Sequence, residues 1–376
     1  MKIETKCVHA GGYSDPLTGG INTPIFTSTV YDYIDRDATV YPRYFNTPNQ
    51  EAVAQKLSAL EGGESAILFS SGMAAISTVM LSFLKAGDHA VIQDELYGGT
   101  HAFITSHFED LGIAYSLAAL KAEKIAEALT PKTRVIYIET PTNPLLNIID
   151  IQEVSGIAKN AGAITVIDNT FASPINQTPI TLGIDIVTHS GTKYLGGHSD
   201  LSCGAVITSA QLAERIRKTA LSLGGNMNAQ TCYLLERSLM TLALRVERQT
   251  QNAGVIADHL ENNPNISRVN YPGLKNHPGH DIAKKQMTGF GAMLSFEIDP
   301  GLMNAKTFMK RLKLIKPGVS LGGVETSICD PATTSHAKVS PEVRKRIGIS
   351  DNLMRLSVGI EHPDDLIGDI EQALLI

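Results

Sequence analysis

Short apolar segments alternate with amphipathic segments along most of the chain. Seven apolar segments cover residues 66–69, 90–93, 113–117, 135–139, 164–168, 186–188 and 205–208. They are apolar at consecutive positions, which is typical of strands covered on both faces, and helical segments separate them. This order predicts an α/β fold whose seven-stranded sheet is mostly parallel.

The pattern changes near residue 230. One long helix is predicted over residues 231–259, then strands over 266–271, 292–297, 315–319 and 353–359, and a terminal helix over 363–375. These segments predict a smaller α+β layer. We expect three regions: an N-terminal arm over 1–50, a large domain over 51–245 and a small C-terminal domain over 246–376.

The first 50 residues have no clear periodicity, although they carry apolar and aromatic residues such as Tyr31, Tyr41 and Phe45. Disordered tails are poor in these residue types. We therefore expect an ordered arm that packs on another surface, such as a neighbouring subunit. A first amphipathic helix is predicted after it, over residues 50–60.

Several predicted strands end in polar or small residues. These ends are residues 70–72, 139–143, 168–170 and 189–193. In an open α/β sheet, ligands bind beyond the carboxyl ends of the strands. The sequence therefore predicts one binding crevice at this edge of the sheet.

The composition excludes several classes of protein. Of 376 residues, 43% are hydrophobic and 19% are charged, and the net charge is −6. An acidic chain without basic runs is not expected to bind nucleic acid. No apolar segment approaches the ~20 residues that a membrane-spanning helix needs, and the first residues lack the apolar segment of a secretory signal.

The four cysteines lie far apart and form no CxxC motif; they are Cys7, Cys203, Cys232 and Cys329. We expect reduced thiols in a cytoplasmic protein rather than a disulfide framework. No zinc-binding HExxH pattern is present, so no metal site is expected.

The most informative segment covers residues 185–199 and reads DIVTHSGTKYLGGHS. It places Lys193 just beyond a predicted buried strand. A lysine at such a place is often a solvated loop end. In an apolar neighbourhood, however, burial lowers the pKa of its amine, which then acts as a nucleophile and condenses with aldehydes.

Asp168 ends the predicted apolar strand 164–168. A carboxylate at such a position is costly unless its charge is paired. One interpretation is a helix N-cap. The other is a counter-ion for a buried cation, such as a protonated pyridine nitrogen.

Two further features fit a small anionic ligand. Residues 70–73 read Ser-Ser-Gly-Met, where a predicted strand enters a helix whose N–H groups can bind phosphate. Arg355 lies in the apolar segment 353–359. A buried arginine normally faces a carboxylate, either in a structural salt bridge or as a clamp for a substrate.

Residues 318–322 match GxSxG, the nucleophile elbow of α/β-hydrolases. Asp330 and either His336 or His362 follow in the required order. The elbow should leave the main sheet and enter a helix, whereas Ser320 lies in the predicted small domain and is followed by Gly322 and Gly323. A serine hydrolase is therefore the weaker alternative.

Taken together, these residues resemble the signature of the Cys/Met-metabolism family of pyridoxal 5′-phosphate (PLP) enzymes. The family includes cystathionine β- and γ-lyases, cystathionine γ-synthase and methionine γ-lyase. The resemblance covers the whole chain, through CVHAGG, SSGMAAI, LYGGT, ETPTNP, VIDNTFASP, SLGGVET and LMRLSVGIE. It implies PLP as cofactor and the fold type I architecture of aspartate aminotransferase.

The resemblance also implies roles for individual residues. Lys193 would hold the cofactor covalently, Asp168 would pair with its ring nitrogen, and Tyr97 would stack on the ring and exchange protons. Asn143 would approach the phenolic oxygen of the ring. The remaining cofactor contacts are expected from Ser71, Gly72, Met73, Thr170, Ser190 and Thr192, together with Tyr41 and Arg43 of a neighbouring subunit.

The implied substrate is a small sulfur amino acid, bound through its carboxylate by Arg355 and Ser320, with Asn143 and Tyr97 nearby. The implied reaction removes a thiol and releases a keto acid and ammonia. Sharing of Tyr41 and Arg43 between subunits implies an obligate dimer, and the family resemblance implies that two such dimers form a homotetramer.

Departures from the family patterns narrow this expectation. Cystathionine γ-synthases and γ-lyases tend to carry glutamate where this chain has Val319, and methionine γ-lyases typically carry cysteine where it has Gly99. We therefore expect a carbon–sulfur lyase of β-lyase or γ-lyase type that acts on L-cystathionine or a related amino acid. Methionine γ-lyase, cystathionine γ-synthase and a sulfhydrylase stay open as alternatives.

Overall fold

The computed structural model describes residues 1–337 and 341–375. Residues 338–340 and 376, which the predicted small domain includes, lie outside the described residues. The structure contains two sheets, one of seven strands and one of five. The domain boundary expected near residue 245 stays a prediction.

The seven-stranded sheet confirms the predicted α/β architecture. Its strands are β1 (Ser65–Phe69), β2 (His89–Gln93), β3 (Ala114–Ala118), β4 (Thr133–Glu139), β5 (Ile164–Asp168), β6 (Ile186–Ser190) and β7 (Gly204–Thr208). The spatial order is β1-β7-β6-β5-β4-β2-β3. Pairing from β6 through β3 is parallel, whereas β7 runs antiparallel to both of its neighbours.

The inner strands of this sheet are apolar at consecutive positions because both of their faces are covered, whereas the edge strand β3 exposes Leu117. In β5, Val166 and Ile167 are both fully buried, but they belong to different apolar clusters on opposite faces. Parallel pairing also places Glu139 of β4 beside Asp168 of β5. The polar ends of adjacent strands therefore meet at one edge, as the sequence predicted.

Fourteen α-helices surround the two sheets within the described residues. They are α1 (Ile3–His9), α2 (Pro48–Glu61), α3 (Gly72–Phe83), α4 (Gly98–His107), α5 (Ala122–Glu127), α6 (Ile151–Ala161), α7 (Ser173–Asn176), α8 (Ala210–Leu223), α9 (Ala229–Leu239), α10 (Leu242–Glu261), α11 (His280–Gln286), α12 (Ala305–Arg311), α13 (Pro341–Arg346) and α14 (Pro363–Leu374). None of the helices that the structure describes is long and apolar enough to cross a membrane.

The five-stranded sheet follows the predicted change of pattern. Its strands are β8 (Ile266–Asn270), β9 (Met293–Ile298), β10 (Lys316–Pro317), β11 (Ser327–Cys329) and β12 (Leu353–Ser357), in the order β10-β11-β12-β9-β8. Strand β10 is much shorter than the predicted 315–319, and β11 was not predicted at all. Both are too short for a periodic signal.

The single helix predicted over residues 231–259 is wrong, because the structure has two helices, α9 and α10, that are interrupted after Leu239. The carbonyl of Ser238 accepts the Thr241 N–H at 3.2 Å and the Nη2 of Arg245 at 2.8 Å. Arg245 thereby satisfies a backbone group that a continuous helix would have bonded to a later N–H.

The arm is ordered, and its first part packs on its own chain. Helix α1, which the sequence did not predict, lies against α2 and α10. The buried Lys56 of α2 donates to the carbonyls of Cys7 and Val8 at 3.1 and 3.2 Å. Farther along, Leu17 and Ile21 expose about nine-tenths of their surface.

Candidate active site

A cavity of about 280 Å³ lies at the carboxyl ends of β4, β5 and β6 and is closed on one side by Arg355 of the second sheet. Its lining is Ser71, Gly72, Met73, Ile76, Tyr97, Glu139, Asn143, Asp168, Thr170, Phe171, Ser190, Thr192, Lys193, Val319, Leu321, Ser335 and Arg355. Segments far apart in the sequence thus meet at the crevice that the strand ends predicted.

Lys193 is carried into the cavity by the turn after β6. The backbone of this turn closes through a hydrogen bond from the Lys193 N–H to the Ser190 carbonyl at 3.1 Å. The Nζ donates to the Oγ of Ser320 at 3.0 Å. Burial lowers the pKa of Lys193, and the nearby positive charge of Arg355 lowers it further, so the neutral, nucleophilic amine is favoured.

Asp168 forms the floor of the cavity as the last residue of β5. Its Oδ1 accepts hydrogen bonds from the N–H and the hydroxyl of Thr170, at 3.0 and 2.5 Å. Burial raises the pKa of Asp168, while the contacts from Thr170 and the nearby His189 partly offset this effect. Neither contact from Thr170 brings a positive charge, so the carboxylate is suited to a cationic ligand group.

The N-terminus of α3 borders the same cavity. Ser71 caps the helix, because its Oγ accepts the Ala74 N–H at 3.1 Å. Gly72 and Met73 are the first helical residues, so their N–H groups have no acceptor within the helix and point away from its end. Only glycine fits at position 72, since a Cβ there would lie 3.0 Å from the Cα of Ser190.

Arg355 is almost fully buried and reaches the cavity from β12. Its Nη1 donates to the Oδ1 of Asn143 at 3.0 Å, and its Nη2 lies 3.4 Å from the carbonyls of Val319 and Ser320. The Nε is buried and has no partner among the described residues. A guanidinium with an unused donor in a cavity is suited to binding a carboxylate.

Tyr97 stands at the mouth of the cavity with 44% of its surface exposed. A Cβ at position 99 would overlap the Tyr97 ring and lie 3.2 Å from the sulfur of Met73. A larger residue at position 99 would therefore require the Tyr97 ring to move.

The structure brings most of the predicted site residues together, but not all of them. Tyr41 and Arg43 do not line the cavity; both are exposed, and Arg43 donates to the carbonyl of Leu221 at 2.5 Å. Ser320 is not part of the lining but contacts Lys193 directly.

The nucleophile elbow suggested by GxSxG is absent from the described structure. Strand β10 ends at Pro317, and residues 321–326 continue as a loop rather than a helix. The Ser320 hydroxyl contacts Lys193, whereas the ring of His336 contacts Ser335. A serine hydrolase is not supported by this geometry.

Several lining residues were not predicted, notably Glu139, Phe171 and Ser335. Glu139 carried a usable signal, because it is a carboxyl group at a predicted strand end, one strand away from Asp168. Phe171 and Ser335 lie in segments without such a pattern, and only the folded chain places them at the cavity.

The chain is similar along its whole length to known proteins. A cystathionine beta-lyase of Lactococcus lactis subsp. cremoris (strain MG1363) is 44% identical over 380 residues, which cover 99% of this chain and 98% of the relative. A cystathionine gamma-lyase of Bacillus subtilis (strain 168) is 44% identical over 378 residues, which cover 100% of this chain and 99% of the relative. A crystal structure of cystathionine gamma-lyase from Lactobacillus plantarum, complexed with L-serine, is 40% identical, with a TM-score of 0.96 over 99% of this chain and 98% of that one.

The fold and the lysine-centred cavity define a PLP-dependent enzyme of fold type I. The chain belongs to the Cys/Met metabolism PLP-dependent enzyme family, which matches residues 4–375. It is a PLP-dependent carbon–sulfur lyase of sulfur amino acid metabolism.

The cavity fits the cofactor that this family uses. Asp168 is a buried carboxylate hydrogen-bonded by uncharged donors, as a protonated ring nitrogen requires. Lys193 offers an amine whose pKa is lowered by burial, and α3 offers a helix N-terminus for the phosphate. These three features surround one space, so the residues present are suited to PLP.

Proposed function

We propose that the enzyme cleaves the Cβ–S bond of L-cystathionine and, with one water, forms homocysteine, pyruvate and ammonia. The observation that carries this proposal is the meeting of Lys193, Asp168 and Arg355 at one cavity. An amine, a buried carboxylate and a carboxylate-binding guanidinium are the groups that elimination from an amino acid needs.

Binding of the substrate begins at Arg355 and Asn143. The unpartnered Nε and the Nη1 that already contacts Asn143 offer donors to the substrate carboxylate. The Ser320 hydroxyl adds a further donor once the Lys193 contact is released. This orientation presents the Cα–H of the substrate to the Nζ of Lys193.

Lys193 and Tyr97 move the protons. The neutral Nζ of Lys193 removes the proton from Cα, and the Tyr97 hydroxyl, at the cavity mouth, exchanges protons with the substrate amine and the departing sulfur. The bound cofactor supplies an electron sink for the negative charge that forms at Cα. Asp168 stabilises the positive charge of the ring nitrogen, and the Cβ–S bond breaks with its electron pair on sulfur.

The phosphate of the cofactor is assigned to the N-terminus of α3 and the neighbouring hydroxyls. Gly72 and Met73 supply backbone N–H groups, and Ser71 and Ser190 supply hydroxyl donors. The Thr192 hydroxyl currently donates to the Cys203 carbonyl at 3.3 Å, so it must turn to contact a phosphate. Thr170 acts mainly by orienting Asp168.

We propose that the enzyme is cytoplasmic and forms a homotetramer. Each cavity in it would be completed by a neighbouring subunit. Tyr41 and Arg43 are exposed and lie outside the cavity of their own chain. Exposed Leu17 and Ile21 in the same arm favour burial against another chain. Tyr41 and Arg43 would then reach the phosphate bound by the neighbour.

The product identifies the bond that is cleaved. Purified enzyme loaded with PLP is given L-cystathionine, and keto acids and thiols are identified by mass spectrometry. Pyruvate with homocysteine supports the proposal. The appearance of 2-oxobutyrate with cysteine would instead assign cleavage of the Cγ–S bond, and a fluorophosphonate-labelled Ser320 without keto acid would contradict lyase chemistry.

A methionine γ-lyase is the second candidate, and Val319 favours it. This residue lines the cavity with an apolar side chain where related enzymes carry glutamate. An apolar side chain can pack against the methyl group of methionine but offers no polar partner to the distal amino acid group of cystathionine. Release of methanethiol and 2-oxobutyrate from L-methionine, at a rate above that of pyruvate from L-cystathionine, would select this candidate.

A further inference from the structure

Two carboxyl groups lie side by side at the floor of the cavity, and only one of them has a role in the proposed reaction. Glu139 at the end of β4 is paired in register with Asp168 at the end of β5. Both line the cavity, and Glu139 is 4% exposed. A second buried carboxyl group at this point requires a physical explanation.

Each oxygen of Glu139 accepts a hydrogen bond from a different turn. Its Oε2 accepts the Tyr97 N–H at 2.8 Å, just before α4, and its Oε1 accepts the Asn143 N–H at 3.2 Å, just after β4. The backbone of Glu139 is itself fixed by the fully buried Gln93, through hydrogen bonds of 2.9 and 3.1 Å. The carboxyl group therefore joins two turns to a rigid strand end.

The chain of contacts continues to the second sheet. The side chain of Asn143 accepts the Nη1 of Arg355 at 3.0 Å, so Glu139 fixes the backbone of the residue that orients the guanidinium. Burial, followed by the neighbouring Asp168, holds the pKa of Glu139 well above its usual value, and the two backbone N–H contacts and Arg355 offset this only in part. Both side-chain oxygens accept an N–H group, which a carboxyl group allows, whereas the NH₂ group of an amide cannot accept.

We propose that Glu139 is a positioning residue that holds Asn143 and Arg355 in the orientation that binds the substrate carboxylate, while its other oxygen fixes the Tyr97 turn. This inference rests on the proposed function, because it takes Arg355 as the carboxylate clamp. Glu139 acts through Asn143 and Arg355.

Two small amines separate this role from a general structural one. Glycine carries the amine and carboxylate of a substrate but no leaving group, whereas methylamine carries the amine alone. Binding of each to the PLP-loaded enzyme is measured through the visible absorbance of the cofactor. Glu139→Gln has one accepting oxygen for two N–H groups, so we expect the affinity for glycine to fall about tenfold or more. The affinity for methylamine should stay within about twofold, because it needs no clamp.

Glu139→Asp is the second variant and retains the charge. Its side chain is one methylene shorter and does not span both turns, so the same selective loss of glycine affinity is expected. If Glu139→Gln does not fold, the Glu139→Asp variant tests the positioning role by itself. The matched control is Glu95→Gln: Glu95 holds the same loop through Thr142 and Asn147, at 3.3 and 2.7 Å, without contacting Tyr97 or Asn143. The affinities of Glu95→Gln for glycine and for methylamine should equal those of the wild-type enzyme.

An equal loss of affinity for both amines, or no loss in either variant of Glu139, would overturn the proposal. The result is independent of the bond that the enzyme cleaves, since glycine contains no sulfur. Absence of keto acid from L-cystathionine with the wild-type enzyme would contradict the proposed function and leave the glycine result standing.

Discussion

At the scale of single residues, the environment of each cavity group decides its chemistry. Lys193 contacts a hydroxyl and lies near Arg355, so burial and the guanidinium charge favour its neutral form. Asp168 is bonded by Thr170 and buried, so it is suited to a cationic partner. The same side chains in open loops would be ordinary solvated charges.

Replacing Asp168 with asparagine removes the charge while keeping the shape. In Asp168→Asn, the amide oxygen of the new side chain would still accept both contacts from Thr170, so the fold and bound cofactor should persist. We expect kcat/KM for L-cystathionine to fall by about 10²-fold or more, because the charged ring nitrogen loses its partner. Steady-state kinetics at saturating cofactor measure this effect.

Asp185→Asn is the matched control for this experiment. Asp185 accepts the N–H and hydroxyl of Thr165 at 2.8 and 2.7 Å, in the same manner as Asp168, but it precedes β6 at the other end of the sheet. Its substitution should leave kcat/KM near the wild-type value. A wild-type rate in Asp168→Asn would contradict the role assigned to the carboxylate.

Much of the site could be predicted from the sequence because each residue follows a recognisable strand or turn. Asp168 ends a predicted strand, Lys193 follows another, and Gly72 begins a predicted helix. The sequence placed Glu139 at a strand end of the crevice but gave it no role, because its role depends on two backbone N–H groups of other turns. No pattern along the chain reports such a contact.

At the scale of elements, consecutive apolar positions predicted all seven strands of the main sheet, because such runs are typical of strands covered on both faces. The edge strand β3 was found in this way although it is partly exposed. The break between α9 and α10 was missed, since it depends on Arg245 reaching the Ser238 carbonyl. Strands β10 and β11 are too short for any periodicity to develop. Tertiary contacts thus set the boundaries that local patterns leave open.

A buried polar cluster ties α2 to the strand ends beneath the cavity. The Oε1 of Glu61 lies 2.5 Å from the Nε2 of His189 and accepts the Asn169 side chain at 2.8 Å. In Glu61→Ala, the buried Nε2 of His189 would lose its partner, and the Nδ2 of Asn169 would keep only its contact with the Gln177 carbonyl. We expect a loss of about 3–5 kcal/mol in the free energy of unfolding, measured by urea titration at fixed protein concentration.

An exposed ion pair provides the comparison. Lys124 and Glu127 are 2.6 Å apart, but their side chains are 50% and 62% exposed. Glu127→Ala should therefore change the free energy of unfolding by less than about 0.5 kcal/mol. Equal effects of the two substitutions would show that the Glu61 cluster does not stabilise the fold as described.

At the scale of the whole molecule, the active cavity exists only because two sheets meet. The first sheet supplies Lys193 and Asp168, and the second supplies Arg355. The sequence predicted both layers, and the proposed contribution of the arm would require a neighbouring chain. Tyr41 and Arg43 are exposed within their own chain, which is the arrangement that a shared site requires.

Mixing two defective variants tests whether the sites are shared. Arg43→Ala should weaken PLP binding, and Lys193→Ala should abolish turnover. If Arg43 serves the neighbouring cavity, random mixed dimers regain native sites in about one quarter of all positions. Activity at limiting PLP is measured after the two variants are unfolded together and refolded. If the mixture is no more active than the separate variants, Arg43 acts in the cavity of its own subunit or does not act at the site.

The central claim is that Lys193 carries the cofactor in this cavity, and reduction with borohydride tests it most directly. The PLP-loaded enzyme is reduced, digested and mapped by mass spectrometry, which locates the cofactor on one lysine. We predict that the label lies on the peptide containing Lys193 and that L-cystathionine added beforehand diminishes it. A label on another lysine, or none after loading with PLP, would contradict the account.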